Sequence, residues 1–290
     1  MAKIRRDHLT MMIIVIGVIL VVATLNIYVS ITFTLEIEPD KAPLNIEAAI
    51  FINLNGFPAE ITQHAVYTLL TEGGWENEIV ILTDRPGRFQ SHSPHINIIE
   101  TRANTILEAK MTKCQLLHFP PLLKFDNLIY FDSDLFITRP LEFLSQSASA
   151  SVSFFEDAGG HIMNFCSGCD FWHTGVMIIR RSRMSSEILD KWCNAIEALQ
   201  TTDQEALDSV VLTGAEQQAI QSLSKKDLLF MRDYIRIWLM KIGFVVKSDH
   251  IFEHHTGLGG EGVEKIAEVV VSSRGFWDST KISKESYGDR

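Results

Sequence analysis

Asn127-Leu128-Ile129-Tyr130-Phe131-Asp132-Ser133-Asp134-Leu135 is an apolar run that ends in two carboxylates one residue apart. A strand turns successive side chains to opposite faces, so Asp132 and Asp134 point the same way. Carboxylate oxygens are hard ligands that suit Mg2+ or Mn2+, and such an ion clamps a diphosphate. An Asp-x-Asp tripeptide also closes many strands as a plain turn. Here the preceding Leu-Ile-Tyr-Phe reads as a buried parallel strand, and open α/β sheets gather ligands at the carboxyl ends of such strands.

Strands alternate with helices on the N-terminal side of this run. Residues 48–53 and 78–83 predict strands, with a helix over 61–70 between them. A third strand at 96–99 precedes a helix from about residue 104 to 118, and Pro120-Pro121 leads into the acidic strand. On the C-terminal side, 151–155 predicts a strand. Trp172 to Arg180 reads as a polar corner followed by a buried strand, and helices dominate from there. Ile188, Leu189, Trp192 and Ile196 share one side of a helix over 185–199, and Asp203 stands near the start of the next, where Asp is a favoured N-cap. This rhythm implies a mainly parallel sheet with helices on both faces.

The chain has 290 residues, 46% hydrophobic and 21% charged, enough to bury a substantial core. Its net charge of −10 argues against a nucleic-acid partner, which needs a basic surface. From Leu9 to Leu35 no Asp, Glu, Lys or Arg occurs, and a helix of that length reaches about 40 Å, more than a hydrocarbon core requires. Lys3, Arg5 and Arg6 precede the run and Glu36, Glu38 and Asp40 follow it. This predicts a type II signal anchor at 9–35, with a cytosolic tail at 1–8 and a translocated body. A cleaved signal peptide is the competing reading, but the run is long and no clear small-x-small site follows it. A stem at 36–45, containing Pro39 and Pro43, leads to one domain over 46–275 and a tail at 276–290.

Four cysteines occur, Cys114, Cys166, Cys169 and Cys193, and their pairing cannot be deduced from sequence. One Cys-x-x-Cys without a second pair makes a weak zinc or redox signature, so no metal is assigned there. No Asn-x-Ser/Thr sequon is present.

Taken in order, these motifs resemble glycosyltransferases of the GT-A fold, in particular the retaining group related to glycogenin and the plant cell-wall xylosyl- and galactosyltransferases (family 8 and 77 type). The resemblance runs from Ala48 to His254-His255-Thr256-Gly257. It implies a Rossmann-like nucleotide-diphospho-sugar transferase domain that moves a hexose or pentose from a UDP-sugar to a glycan or glycoprotein, with Mn2+ or Mg2+ and with retention. It further implies a Golgi or endomembrane protein whose catalytic domain is lumenal. Asp132 and Asp134 inherit the role of metal ligands, joined by His254, with His255 the neighbouring alternative. Ser133 lies beside them.

Asn53 and Asn55, in the loop with Gly56, fall where the family holds base and ribose. Asp84 ends the second strand and is a further candidate there, although Asp84-Arg85-Pro86-Gly87 also makes an ordinary turn. Lys110 and Lys113 share a helical face and correspond to a basic position near the sugar or phosphates. Thr174 and Gly175 correspond to a corner that recognises sugar hydroxyls. Asp203 and Gln204 correspond to an Asp-Gln pair beside the donor sugar, the place of a catalytic group. The family often continues the His-x-x-Gly segment with a phosphate-binding Lys, where this chain reads Leu258-Gly259-Gly260. That departure supports the alternative, a membrane-anchored protein of the same fold that binds nucleotide or glycan without turnover.

Overall fold

The computed structural model describes residues 45–89, 93–141, 150–156, 172–223, 228–230 and 251–254. All belong to the larger of two compact units, Pro43–Arg290. The expected membrane anchor, nearly all of the stem, Cys166, Cys169, the segment 255–260 and the tail from 276 lie outside the described residues. Among the described residues no helix is long and apolar enough to cross a membrane.

Seven strands form the main sheet: β1 Ala48–Asn53, β2 Glu78–Thr83, β3 Ile96–Glu100, β4 Asn127–Phe131, β6 Val152–Glu156, β7 Trp172–Arg180 and β8 Ile220–Leu223, in spatial order β3-β2-β1-β4-β7-β6-β8. The chain steps outward from β1 to β2 and β3, then returns to lay β4 on the other side of β1. That reversal leaves a crevice at the carboxyl ends of β1 and β4, the place where such sheets bind ligands. Four of the six pairings are parallel, and β7 runs antiparallel to β4 and β6. A buried apolar run carries no mark of its direction, so sequence did not reveal that β7 is reversed.

Alternation along each strand builds two cores, one on each face. Ala49, Phe51, Ile79, Ile81, Ile129 and Phe131 pack with α1 (Ala59–Thr71), while Ala48, Ile50, Val80, Leu82, Leu128 and Tyr130 pack toward α2 (Ile106–Cys114) and α3 (Arg183–Leu199). A disulfide between Cys114 and Cys193 ties the end of α2 to α3, across 79 residues of sequence.

Three expectations are corrected. The helix expected to reach residue 118 ends at Cys114 and continues as two 3-10 turns, Leu116–His118 and Pro120–Leu122. The Arg181 guanidinium reaches into these turns and donates to the carbonyls of Leu117, Leu122 and Phe125, supplying partners that a helix would have provided internally. The polar corner at residues 172–175 is part of β7 itself, not an entry turn. Helices do not simply dominate the C-terminal part. The short helices α4 (Asp203–Asp208) and α5 (Gly214–Gln218) give way to β8 and to a second, three-stranded sheet. That sheet holds β5 (Leu135–Ile137), β9 (Leu228–Phe230) and β10 (Phe252–His254), in order β5-β10-β9.

Candidate metal centre

β4 ends at Phe131, and the chain turns at once, so Asp132 and Asp134 sit in the turn between β4 and β5 rather than on a strand. The Asp132 N–H donates to the Gly175 carbonyl at 2.7 Å, and the Leu135 N–H closes the turn on the Asp132 carbonyl at 3.1 Å. β10 runs antiparallel to β5 with His254 opposite Leu135, which brings the imidazole beside the turn. His254 Nε2 lies 3.1 Å from Asp134 Oδ1 and 3.5 Å from Asp132 Oδ2. One ligand atom from each of the three residues falls within 4.8 Å of the others.

A basic group completes the cluster. Lys113, near the end of α2, places its ammonium 2.7 Å from Asp132 Oδ1 and 2.6 Å from Asp203 Oδ2. The same Asp203 oxygen accepts from Thr174 Oγ1 at 2.9 Å. Tyr130, two residues before Asp132 on the face toward α2, donates its hydroxyl to Asp132 Oδ1 at 2.6 Å. The two oxygens of Asp132 are thereby divided: Oδ1 takes the lysine and the tyrosine, and Oδ2 faces His254.

The ionisation states follow from burial and neighbours. Burial alone lowers a lysine, but Asp132 and Asp203 override it and hold Lys113 well above its ordinary value. Burial raises Asp203, yet Lys113 and Thr174 bring it well below the usual carboxylate range. His254 and Asp134 form a mutual pair: burial opposes both charges, but each partner draws the other toward its ionised form. Tyr130 is pushed up by burial and by Asp132. His173 is pushed well below its ordinary value by burial and by the charges of His254 and Lys113, so its ring is neutral.

β7 reaches the cluster through an irregularity. Phe154 of β6 pairs with Met177, but the next residue, Phe155, pairs with His173, so 174–176 bulge out of the ladder. Bulges re-aim side chains beside functional sites, and this one turns Thr174 toward Asp203 and brings the Gly175 backbone against Asp132. A Cβ on Gly175 would stand 2.7 Å from Asp132 Oδ2 and 2.3 Å from His173 Cε1, so no larger residue fits without displacing one of them.

The remaining candidates fall in different places. Asp203 opens α4, and the N-cap is Thr202, whose hydroxyl accepts from the Glu205 N–H; the cap that Asp203 could also have supplied is thus taken, which leaves its carboxylate available to Lys113. Gln204 follows it in the first turn, half-buried. Lys110 Nζ reaches the Thr201 carbonyl at 3.4 Å. Ser133 is buried and donates to the Ile52 carbonyl at 2.7 Å, pinning the acidic turn to β1. Asn53 is fully buried and donates to Thr62 Oγ1 at 2.7 Å and to the Pro58 carbonyl. Asn55 is exposed, and its N–H donates to Asp84 Oδ2 at 2.9 Å. Asp132, Asp134, His254, Lys113, Asp203, Thr174 and Gly175 are thus brought together, while Asn53, Asn55 and Ser133 secure the loops around them. Sequence reading passed over Tyr130 and His173. The i−2 spacing of Tyr130 from Asp132 was the available signal for the first.

No protein-family model matches the chain, and no curated protein matches it. Solved structures do. The galactosyltransferase LgtC, crystallised in complex with donor and acceptor sugar analogues, superposes with a TM-score of 0.53 at 13% identity, over 78% of this chain and 95% of LgtC. The glycosyltransferase GlyE of Streptococcus pneumoniae TIGR4 gives a TM-score of 0.52 at 15% identity, over 72% of this chain and 54% of GlyE, so this chain spans about half of that protein. An active-site mutant of LgtC gives the same picture as the first, with a TM-score of 0.52. The chain shares the fold of these glycosyltransferases, the GT-A arrangement implied by its motifs.

Proposed function

We propose that this protein is a glycosyltransferase that moves a sugar from a nucleotide diphosphate sugar, a UDP-sugar by preference, to a glycan or glycoprotein acceptor, with a divalent cation and with retention. The observation that carries the reading is the convergence of Asp132, Asp134 and His254 at the carboxyl end of β4, in a fold shared with glycosyltransferases. The donor set fits the ion. Two carboxylates and an imidazole suit Mn2+, and Mg2+ takes oxygen-rich sites of this kind. Separations of 3.1 and 3.5 Å from the imidazole nitrogen put the two carboxylates close enough for one ion to be shared by all three. Asp132 through Oδ2, Asp134 and His254 would hold the ion, which supplies Lewis-acid stabilisation of a departing diphosphate.

The chain's own groups do the rest. Lys113 is a buried cation between the metal ligand Asp132 and Asp203, and adds positive charge where a diphosphate leaves. It also keeps Asp203 ionised, with Thr174 as second donor, so a carboxylate immediately precedes Gln204 in the first turn of α4. Tyr130 keeps Asp132 Oδ1 engaged and so presents Oδ2. The apolar run at 9–35 supports a type II anchor, and the Cys114–Cys193 bond supports a lumenal, Golgi-type setting, since disulfides persist in oxidising compartments.

Calorimetric titration of UDP with and without Mn2+ tests the reading. Binding is expected to require the ion. Asp134→Asn, which removes charge without changing shape, is expected to weaken it by more than about a hundredfold, beyond what changes around a metal's direct ligands usually cost. Equal binding by this variant, or binding indifferent to Mn2+, sinks the metal centre. If UDP binds as expected but no sugar nucleotide turns over, the protein is a binding module of the same fold.

A further inference from the structure

We infer, building on the metal-centre reading above, that His173 is a positioning residue whose buried imidazole sets the ring of His254 and so aims the third metal ligand. His173 lies at the start of the β7 bulge and is 4% exposed. Its Nδ1 accepts the Gly175 N–H at 3.2 Å, which fixes its tautomer and its ring plane. The ring then stands edge-on to His254, with centroids 4.6 Å apart and planes at 71°.

The need for such a device follows from where His254 comes from. It is the last residue of a three-residue strand, while both aspartates lie in a single turn braced by the large sheet. An imidazole must present one nitrogen along a narrow direction to bind a metal, and groups around the direct ligands normally supply that orientation. A ring wedged between His254 and the β7 backbone limits the swing of His254. The fit is tight, since a Cβ on Gly175 would strike His173 Cε1 at 2.3 Å. His173 and Gly175 of β7 therefore touch two ligands that are 122 positions apart in sequence, Asp132 through the Gly175 carbonyl and His254 through the His173 ring.

The test uses the full-length chain in detergent, with Mn2+ and UDP as probes. Mn2+ affinity is read by calorimetry, and the 14N coupling of a coordinated imidazole by pulsed EPR. His173→Ala is expected to weaken Mn2+ binding ten- to a hundredfold and to diminish the 14N coupling. His173→Phe keeps the ring edge against His254 but loses the Nδ1 acceptor that fixes its plane, and is expected to fall between wild type and His173→Ala in Mn2+ affinity, with the coupling retained. Wild-type affinity and coupling in His173→Ala overturn the inference, and so does a Phe variant as weak as the Ala variant. Should the Ala variant fail to fold, the Phe variant decides: coupling retained supports the role, coupling lost removes it. Asp134→Asn and His254→Ala run beside them. If neither alters Mn2+ binding, the metal centre itself fails; if both do while the His173 variants behave as wild type, only the positioning role fails.

Discussion

The large sheet delivers Asp132 and Asp134 from an interior strand, β4, which is paired over four residues with β1 and over five with β7. The small sheet delivers His254 from β10, three residues long, paired with β5 and β9. One position is secured by backbone ladders and a core on both faces. The other is secured by side chains: Phe252, fully buried, packs 5.9 Å from Phe131 and 5.4 Å from Phe155, both on the large sheet. A ligand set assembled this way is only as well ordered as the packing that joins the two sheets.

The strongest way to break the contrast is Phe252→Ala. Were the small sheet a loose flap, global stability would scarcely change. Because its anchor sits in the main core, a loss of about 3–5 kcal/mol is expected by urea denaturation, as for other large buried aromatics, together with loss of Mn2+-dependent UDP binding. Gly175→Ala comes next and acts from the large-sheet side. The added Cβ forces His173 and Asp132 apart, so a cost of about 1–3 kcal/mol is expected, as for overpacked interiors, with Mn2+ affinity falling more steeply than stability.

The smallest effect lies far from either junction, at Glu216 on α5. Its carboxylate accepts from the Lys191 ammonium and the Thr213 N–H and is held at about 2, below its ordinary 4.5. A depressed carboxylate contributes stability that is complete above its unfolded value and disappears as pH falls through the folded one. The Tm advantage of wild type over Glu216→Gln is therefore expected to be constant above about pH 5 and to shrink between 4.5 and about 2. A difference that persists to pH 2 removes the ion pair as its source.

Legibility in the sequence divides along the same line. β1 and β2 begin and end where their apolar runs predict, because parallel interior strands are buried on both faces and read as continuous blocks. The acidic pair was equally plain. β5, β9 and β10 were not read as strands, since three residues carry no period and their pairing exists only once distant segments meet. His254 was reached through a resemblance, not through its strand. The Lys113–Asp203 contact joins residues 90 positions apart and had no local signature. Asp203 could be read either as a cap of α4 or as a site residue, because Thr202 and Asp203 are both good caps, and only the Thr202–Glu205 reciprocity assigns the cap to Thr202.

The Cys114–Cys193 bond has a consequence for the order in which the molecule is made. It closes a covalent ring that contains Asp132, Asp134 and the whole of β7, with Lys113 just outside its first cysteine. A loop of that size removes about 4–5 kcal/mol of disorder from the unfolded chain in the chain-entropy account. Both cysteines precede His254 in the chain, so the ring can be sealed around the two carboxylates independently of the strand that brings the imidazole. The candidate metal centre then needs only one further strand, β10, to meet a frame that the disulfide closes.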